Sequence, residues 1–283
     1  MSSHRRKILI VLLGAIVVTA GCLWKVSYRY ADWLVLWKLD QYFDLSREQK
    51  AVLAGQLKGH LARHRNDALP AYMAALRQLG DRVRKPITRE DVDWAFATYQ
   101  RFREELFEGF VADGTAFLVS VDEEQIRNLE ERFRKDNEKA ERRLQEPARQ
   151  RLAERAEETL ELLRDWLGPL SPEQEKRITE LSLTLPEMKP LSVQFHRERQ
   201  QVLMRLLRQS PRDREAIAQG LRDWVVHPER RESAAFRRTS AEAQRAVAEM
   251  AVAVDRMATP RQREHVLKKL QALIDELQDL SAA

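Results

Sequence analysis

The sequence has few of the residues on which most fold classes depend. One cysteine, nine glycines and ten prolines occur in 283 residues. A single cysteine excludes a disulfide framework and any cysteine-based zinc site. Scarce glycine and proline argue against the turn-rich sandwiches, barrels and Rossmann domains, and they favour long helices. No glycine-rich phosphate loop, nucleophile elbow or Ser-His-Asp series occurs, so the sequence predicts neither an enzyme nor a cofactor.

Apolar and charged residues are both abundant. Apolar residues make up 43% of the chain and charged residues 33%. Disordered chains have a smaller apolar share, so this composition is that of a folded protein. We therefore predict an all-α fold, an elongated multi-helix bundle with one long charged helix and no sheet.

Residues 1–21 have the order of a lipoprotein signal peptide. A basic segment of Arg5, Arg6 and Lys7 precedes an apolar segment at 8–18, and small residues follow it. The apolar segment is shorter than the roughly 20 residues that span a bilayer. We therefore predict a cleaved signal, with a short uncleaved anchor as the alternative.

The lone cysteine indicates which kind of signal this is. The segment Ala20-Gly21-Cys22 resembles a bacterial lipobox, although Thr19 stands where lipoboxes usually have Leu. The resemblance implies that Cys22 is lipidated and becomes the new amino terminus, and three acyl chains would hold it on a membrane. Because Leu23 and not Asp follows, the resemblance favours the periplasmic face of the outer membrane over that of the inner membrane. A buried free cysteine is the alternative.

The net charge depends on this signal. The formal charge of the whole chain is +5, and loss of the three basic residues in the signal lowers it to +2. Such a small excess predicts no nucleic-acid partner. Two basic pairs remain, which we interpret as solvated helix faces, with anionic lipid or lipopolysaccharide as the alternative partner. They are Arg230-Arg231 and Arg237-Arg238.

Several segments have the pattern of a helix start. In each, a capping side chain stands three residues before a side chain that can bond back to it, often with Pro in the first helical position. They begin at Ser46, Asp122, Ser171, Ser210 and Thr259, and more weakly at Thr88. With the proline breaks they predict helices at about 24–43, 47–66, 68–84, 89–119, 123–167, 172–184, 190–208, 211–226, 232–257 and 260–280.

The predicted helix at 123–167 is the longest. Its apolar residues form a narrow stripe on a highly charged body, so one face packs and the remainder meets water. Pro147 is expected to kink or divide it. Pro186 and Pro190 bracket a predicted hinge between an amino-terminal half, 22–185, and a carboxy-terminal half, 190–283, although the two can also form one continuous domain.

Aromatic residues are densest directly after Cys22. We interpret Trp33, Leu36, Trp37, Leu39 and Phe43 as core residues of the first helix. In the alternative interpretation Trp33 and Trp37 form a binding surface. The residues just before them would then lie at the lipid headgroups. These residues are Trp24, Tyr28 and Tyr30.

The segment from Tyr28 to Leu34, Y-R-Y-A-D-W-L, together with Trp37 and Tyr42, resembles the opening of a family of uncharacterised bacterial lipoproteins. In that family a lipobox precedes an Asp-Trp-rich first helix and a Leu-Ser/Thr-x-x-Gln turn. The resemblance covers roughly residues 20–80, and it implies membrane anchoring but no activity.

A looser resemblance concerns two Leu-Ser-x-x-Gln segments, Leu45-Ser46-Arg47-Glu48-Gln49 and Leu170-Ser171-Pro172-Glu173-Gln174. They are similar to the Leu-Thr-x-x-Gln signature of Spy-type periplasmic chaperones, which are small all-helical proteins that shield unfolded clients. This chain is about twice the length expected of such a chaperone.

Candidate chemistry is sparse. His60 and His64 are spaced i and i+4, so they could meet one metal ion, but no third ligand is evident and Leu61 replaces the Glu of metalloprotease helices. We therefore predict no metal site and a solvated helix face. Carboxylates alternate with basic residues, as in Glu131 and Arg134, which indicates surface ion pairs and not acid–base catalysis.

Together these features predict a noncatalytic binding or chaperone-like module, held on the membrane by its lipid anchor. Its partners would be envelope proteins or unfolded clients, which it contacts through apolar stripes flanked by charges. An envelope enzyme acting on lipid or peptidoglycan is one alternative, because active sites are spatial constellations. A structural spacer between envelope layers is the other.

Overall fold

The computed structural model describes residues 28, 30–209 and 211–282, and within these ranges every regular element is helical. This confirms the predicted all-α, multi-helix fold. Cys22 and the predicted signal peptide lie outside the described residues. The α-helices are α1 (Ala31–Phe43), α2 (Arg47–Arg63), α3 (Leu69–Val83), α4 (Arg89–Glu108), α5 (Val111–Ser120), α6 (Glu123–Leu144), α7 (Ala148–Leu167), α8 (Pro172–Thr184), α9 (Lys189–Leu207), α10 (Arg214–Leu221), α11 (Ala234–Met257) and α12 (Pro260–Ser281).

The predicted helix starts are confirmed at five positions. At each, the capping side chain accepts from the backbone N–H three residues on, and the side chain there accepts from the N–H of the cap. The caps are Ser46, Thr88, Asp122, Ser171 and Thr259. These reciprocal bonds satisfy N–H groups that have no partner inside the helix.

The start predicted at Ser210 is wrong, and Ser210 itself lies outside the described residues. Helix α10 begins at Arg214, and its cap is Asp213. The Asp213 carboxylate accepts from the backbone N–H groups of Glu215 and Ala216 at 2.9 and 3.1 Å. A carboxylate is as strong a cap as a hydroxyl, and its negative charge is also attracted to the positive amino end of the helix dipole. The helix therefore starts later than predicted.

Two predicted helix boundaries differ in the structure. A π-helical turn at His64–Ala68 joins α2 to α3, where we predicted a break. The helix predicted at 89–119 ends instead at Glu108, before Gly109, a residue with low helix propensity. As predicted, Pro147 divides the helix predicted at 123–167 into α6 and α7, because proline cannot donate the helical hydrogen bond.

Three buried clusters hold the helices together. The first contains side chains from α1, α2, α5, α6, α9 and α10, among them Phe43, Leu129 and Leu207. The second joins α3 and α7 to α12, and the third joins α7 and α8 to α11. Each cluster draws residues from several helices, so the burial of an apolar stripe on one helix depends on its neighbours.

The predicted hinge at 185–189 is held by two arginines of α7. Arg155 donates to the backbone carbonyls of Ser182 and Leu185, at 2.7 and 2.8 Å. Arg151 donates to both carboxylate oxygens of Glu187, at 2.6 and 3.0 Å. The hinge and the division into halves at 22–185 and 190–283 stay predictions.

Candidate functional site

Helix α1 carries an exposed apolar surface. Five of the eight large apolar side chains that are exposed among the described residues lie in one short stretch of the chain. Four of these side chains are spaced three and four residues apart, so they lie on one side of the helix. We call this surface the aromatic face of α1; its members are Tyr30, Trp33, Leu34 and Trp37.

The prediction that Trp33 and Trp37 are core residues is wrong, because 58% and 49% of their surfaces are exposed. Helix α1 packs on the first cluster through Leu36, Leu39 and Phe43, which are three to four residues apart. The two tryptophans lie beside this stripe and not on it. Their rings stack on each other, with centroids 6.3 Å apart and planes inclined by 14°.

Contacts of Tyr42 and Asp40 hold the carboxyl end of α1 in place. The Tyr42 hydroxyl donates to Asp136 of α6 at 2.6 Å, and its ring lies edge-on to Phe133 with centroids 6.1 Å apart. Burial, together with the neighbouring Asp136 carboxylate, raises the pKa of Tyr42 to about 12, so it stays a donor at neutral pH. Asp40 accepts from the backbone N–H of Leu45 at 2.9 Å.

A groove of about 610 Å³ runs between α6 and α9. Two apolar side chains, Phe133 and Met204, contribute to its lining, and the remainder is polar or charged. We call it the α6/α9 groove. Its charged lining residues are Glu130, Arg134, Glu138, Glu141, Arg197, Arg205 and Arg208.

Ion pairs and one amide contact cross the groove. Arg208 pairs with Glu130 at 2.5 Å, and Arg197 pairs with Glu141. The amide of Asn137 donates to the Gln200 carbonyl at 2.7 Å. The two helices are therefore fixed to each other by polar contacts along the groove.

The remaining charges of the groove are available to solvent. We predicted exposed ion pairs between residues three and four positions apart on α6. The pairs of Arg134 with Glu131 and with Glu138 confirm this prediction. Hydrogen bonds from Arg134 and Lys135 lower the pKa of Glu131 to about 2. Arg205 is exposed, and no carboxylate of the described part of the chain lies within 4.0 Å of it. No sequence pattern indicates the contribution of α9, because the pairing of two helices requires the tertiary fold.

The predicted solvated face at His60 and His64 is wrong. His60 is buried, and its Nε2 lies 2.8 Å from Asp113 of α5. His64 is half-buried, and its two ring nitrogens lie 3.0 and 3.3 Å from the hydroxyls of Tyr28 and Tyr72. Burial lowers the pKa of His64. Each histidine therefore links helices of the fold through its own partners.

The prediction that both basic pairs are solvated is confirmed, because Arg230, Arg231, Arg237 and Arg238 are all exposed. The exposed Arg231 also donates to Asp223 at 2.8 Å, and the Asp223 side chain is buried. The ion pair ties the segment after α10 together, which leaves less free cationic surface than the sequence indicated.

The described residues contain neither a membrane-spanning helix nor a cluster of metal ligands. No helix in those ranges is both long enough and apolar enough to cross a membrane. No group of three or more His, Cys, Asp or Glu side chains in the same ranges could hold a metal ion.

Comparisons with known proteins identify a family. A family model described as "Family of unknown function (DUF6279)" matches residues 41–237. The match begins near the end of α1 and ends in α11, so it contains the α6/α9 groove. No curated protein and no solved structure matches the sequence.

Proposed function

Because the chain belongs to the DUF6279 family, whose function is unknown, we propose a function from its own residues. The protein is a bacterial envelope lipoprotein that binds other proteins without catalysing a reaction. A lipid on Cys22 anchors it at the periplasmic face of the outer membrane. The basic and apolar segments before Ala20-Gly21-Cys22 support this anchor.

The α6/α9 groove is the observation that carries the binding function. Phe133 and Met204 offer apolar contact, and charges of both signs flank them. An extended segment of an unfolded or partner protein has the matching chemistry, with apolar side chains between charged ones. Exposed charges give weak individual contacts, so binding would be reversible. The resemblance of the Leu-Ser-x-x-Gln segments to Spy-type chaperones supports the same proposal.

A client-protection assay tests the groove. We expect the purified processed protein to suppress aggregation of a chemically denatured periplasmic protein. Arg205→Glu should weaken this protection about fivefold, the equivalent of about 1 kcal/mol for one reversed exposed contact. The matched control is Arg238→Glu on α11, which makes the same charge change at an exposed position outside the groove. Equal protection by both variants, or no protection by the parent protein, would refute the groove as the binding site.

Mass spectrometry of protein made in its native host tests the anchor. We expect a chain that begins at Cys22, with a diacylglyceryl group on its sulfur and an acyl group on its amino terminus. The Cys22→Ser variant should lose the lipid and the new amino terminus together. An intact Met1 or an unmodified Cys22 sulfur would refute the anchor. Crosslinking in the native membrane then identifies the bound partner.

A further inference from the structure

We propose that the aromatic face of α1 inserts into the headgroup region of the membrane that holds the lipid anchor. The protein would then rest on the bilayer in one orientation, with the domain fixed relative to the lipid surface. The inference rests on the proposed lipidation of Cys22, and it assigns lipid as the occupant of an otherwise uncovered helix face.

The position of the face in the chain argues for a lipid occupant. Tyr30 follows Cys22 by only eight residues. A fully extended chain spans at most about 3.5 Å per residue, so the tether reaches about 28 Å. The face therefore cannot move far from a membrane that holds Cys22, and its effective concentration at that surface is high.

The side chains of the face match the chemistry of the interface. Tryptophan and tyrosine are enriched where the hydrocarbon meets the headgroups, because their rings are apolar bodies with a polar group. Trp33 and Trp37 present stacked rings, and Leu34 adds apolar surface beside them. The exposed Lys38 on the same helix can meet lipid phosphates.

The dimensions of α1 indicate how it would lie. The helix has 13 residues. At 1.5 Å per residue it is about 20 Å long, less than the roughly 30 Å of the hydrocarbon core. It would therefore lie along the interface and not cross the bilayer. Because three acyl chains already retain the protein, the effect of α1 is on orientation.

The orientation of α1 on the membrane would also determine the orientation of the α6/α9 groove. Tyr42 of α1 bonds to Asp136 of α6, and the Phe133 ring that it contacts also lines the groove. Helix α1 is thus attached to one wall of the groove. Docking of α1 on the bilayer would set the height and direction at which the groove faces the periplasm.

A single-site fluorescent probe tests the inference in the full, natively processed chain. Cys22 is the only cysteine, so acylation leaves no free thiol and a new cysteine can be labelled alone. Leu34→Cys places a nitrobenzoxadiazole probe on the aromatic face. Leu183→Cys on α8 is the matched control, since Leu183 is also an exposed leucine on a helix. Both proteins are reconstituted in vesicles of phosphatidylethanolamine and phosphatidylglycerol, with and without headgroup-level nitroxide lipids.

We expect nitroxide lipids to quench the probe at position 34 at least threefold more than the probe at position 183. Adding Trp33→Ser and Trp37→Ser should remove at least half of that difference. Both side chains are exposed, so this variant should keep the helical circular dichroism of its parent.

Equal quenching at positions 34 and 183, in protein whose acylated Cys22 is verified by mass spectrometry, would overturn the inference and leave the anchor standing. Concentration-dependent self-quenching between the probes at position 34, without quenching by lipid, would show that a second copy covers the face and would also overturn it. An unmodified Cys22 would overturn the anchor, and the inference with it.

Discussion

The side-chain amides of Gln174 and Gln262 donate to each other's carbonyl oxygens, at 2.9 and 3.0 Å, and so join the starts of α8 and α12. Each glutamine also completes the capping box of its own helix. The Gln262 amide reaches the backbone carbonyl of Pro169, and the Gln174 amide reaches that of Met257, both at 2.8 Å. Gln49 and Gln125 join α2 to α6 in the same way, at 2.6 and 3.1 Å.

The Gln174 and Gln262 pair predicts a coupled loss of stability. Gln262→Ala should lower the free energy of unfolding by about 2 kcal/mol, because it leaves buried polar groups without partners. A double-mutant cycle with Gln174→Ala should give a coupling energy of at least about 0.5 kcal/mol in urea unfolding. Gln150→Ala, at an exposed helical position, is the control and should be nearly neutral. Strictly additive losses would contradict the pairing.

Gly168, at the end of α7, has a backbone conformation that should make its replacement destabilising. Its φ of 77° and ψ of −157° lie in a region that is essentially restricted to glycine. Gly168→Ala should therefore destabilise the protein by about 1–3 kcal/mol. Gly55→Ala is the control, since an added methyl group meets nothing within 4 Å inside helix α2. The free energy of unfolding of Gly55→Ala should be about 0.5–1 kcal/mol higher than that of the parent. Thermal unfolding should therefore show a higher melting temperature for Gly55→Ala and a lower one for Gly168→Ala.

The buried carboxylate of Asp255 should make a large contribution to the free energy of unfolding. It pairs with Arg263 at 2.8 Å and accepts from the backbone N–H of Ile87 at 2.9 Å, joining α11, α12 and the turn before α4. Asp255→Ala should cost about 3 kcal/mol, because it leaves the partly buried guanidinium without its carboxylate. Asp81→Ala, at a highly exposed side chain, should change stability by less than about 0.5 kcal/mol. Denaturant unfolding that ranks the two variants equally would contradict this assignment.

The Arg151 and Glu187 pair predicts a dependence of stability on pH. The hydrogen bonds from Arg151 hold the pKa of Glu187 below its ordinary value. A carboxyl with a lowered folded pKa stabilises the protein fully above its unfolded pKa of about 4.3. That stability is lost as pH falls through the folded value. Glu187→Gln should therefore be less stable than the parent at pH 7, and the difference should shrink below about pH 4.

Urea unfolding at pH 7, 5 and 3 measures this difference. Glu242→Gln is the control, because Glu242 is exposed on α11 and forms no ion pair among the described residues. A difference between parent and Glu187→Gln that stays constant from pH 7 to pH 3 would exclude the proposed contribution of Glu187.

The candidate surfaces could be predicted from the sequence only in part. The aromatic stretch of α1 is evident in the sequence, but a stripe of Trp33, Leu36 and Trp37 is compatible with core and with surface alike. Packing of α1 against α2 and α6 partly buries Leu36 and leaves both tryptophans exposed. His60 shows the same dependence, because its partner Asp113 lies on a different helix, 53 residues away.

The sequence by itself determined where five of the helices begin and where the longest predicted one divides. These features depend on bonds between residues three or four positions apart and on the missing N–H of Pro147, so they need no distant partner. Tertiary structure alone decided that capping glutamines pair, that α6 and α9 form a groove and which side of α1 faces outward. Those outcomes require burial and hydrogen bonding between helices far apart in the chain, which no local pattern specifies.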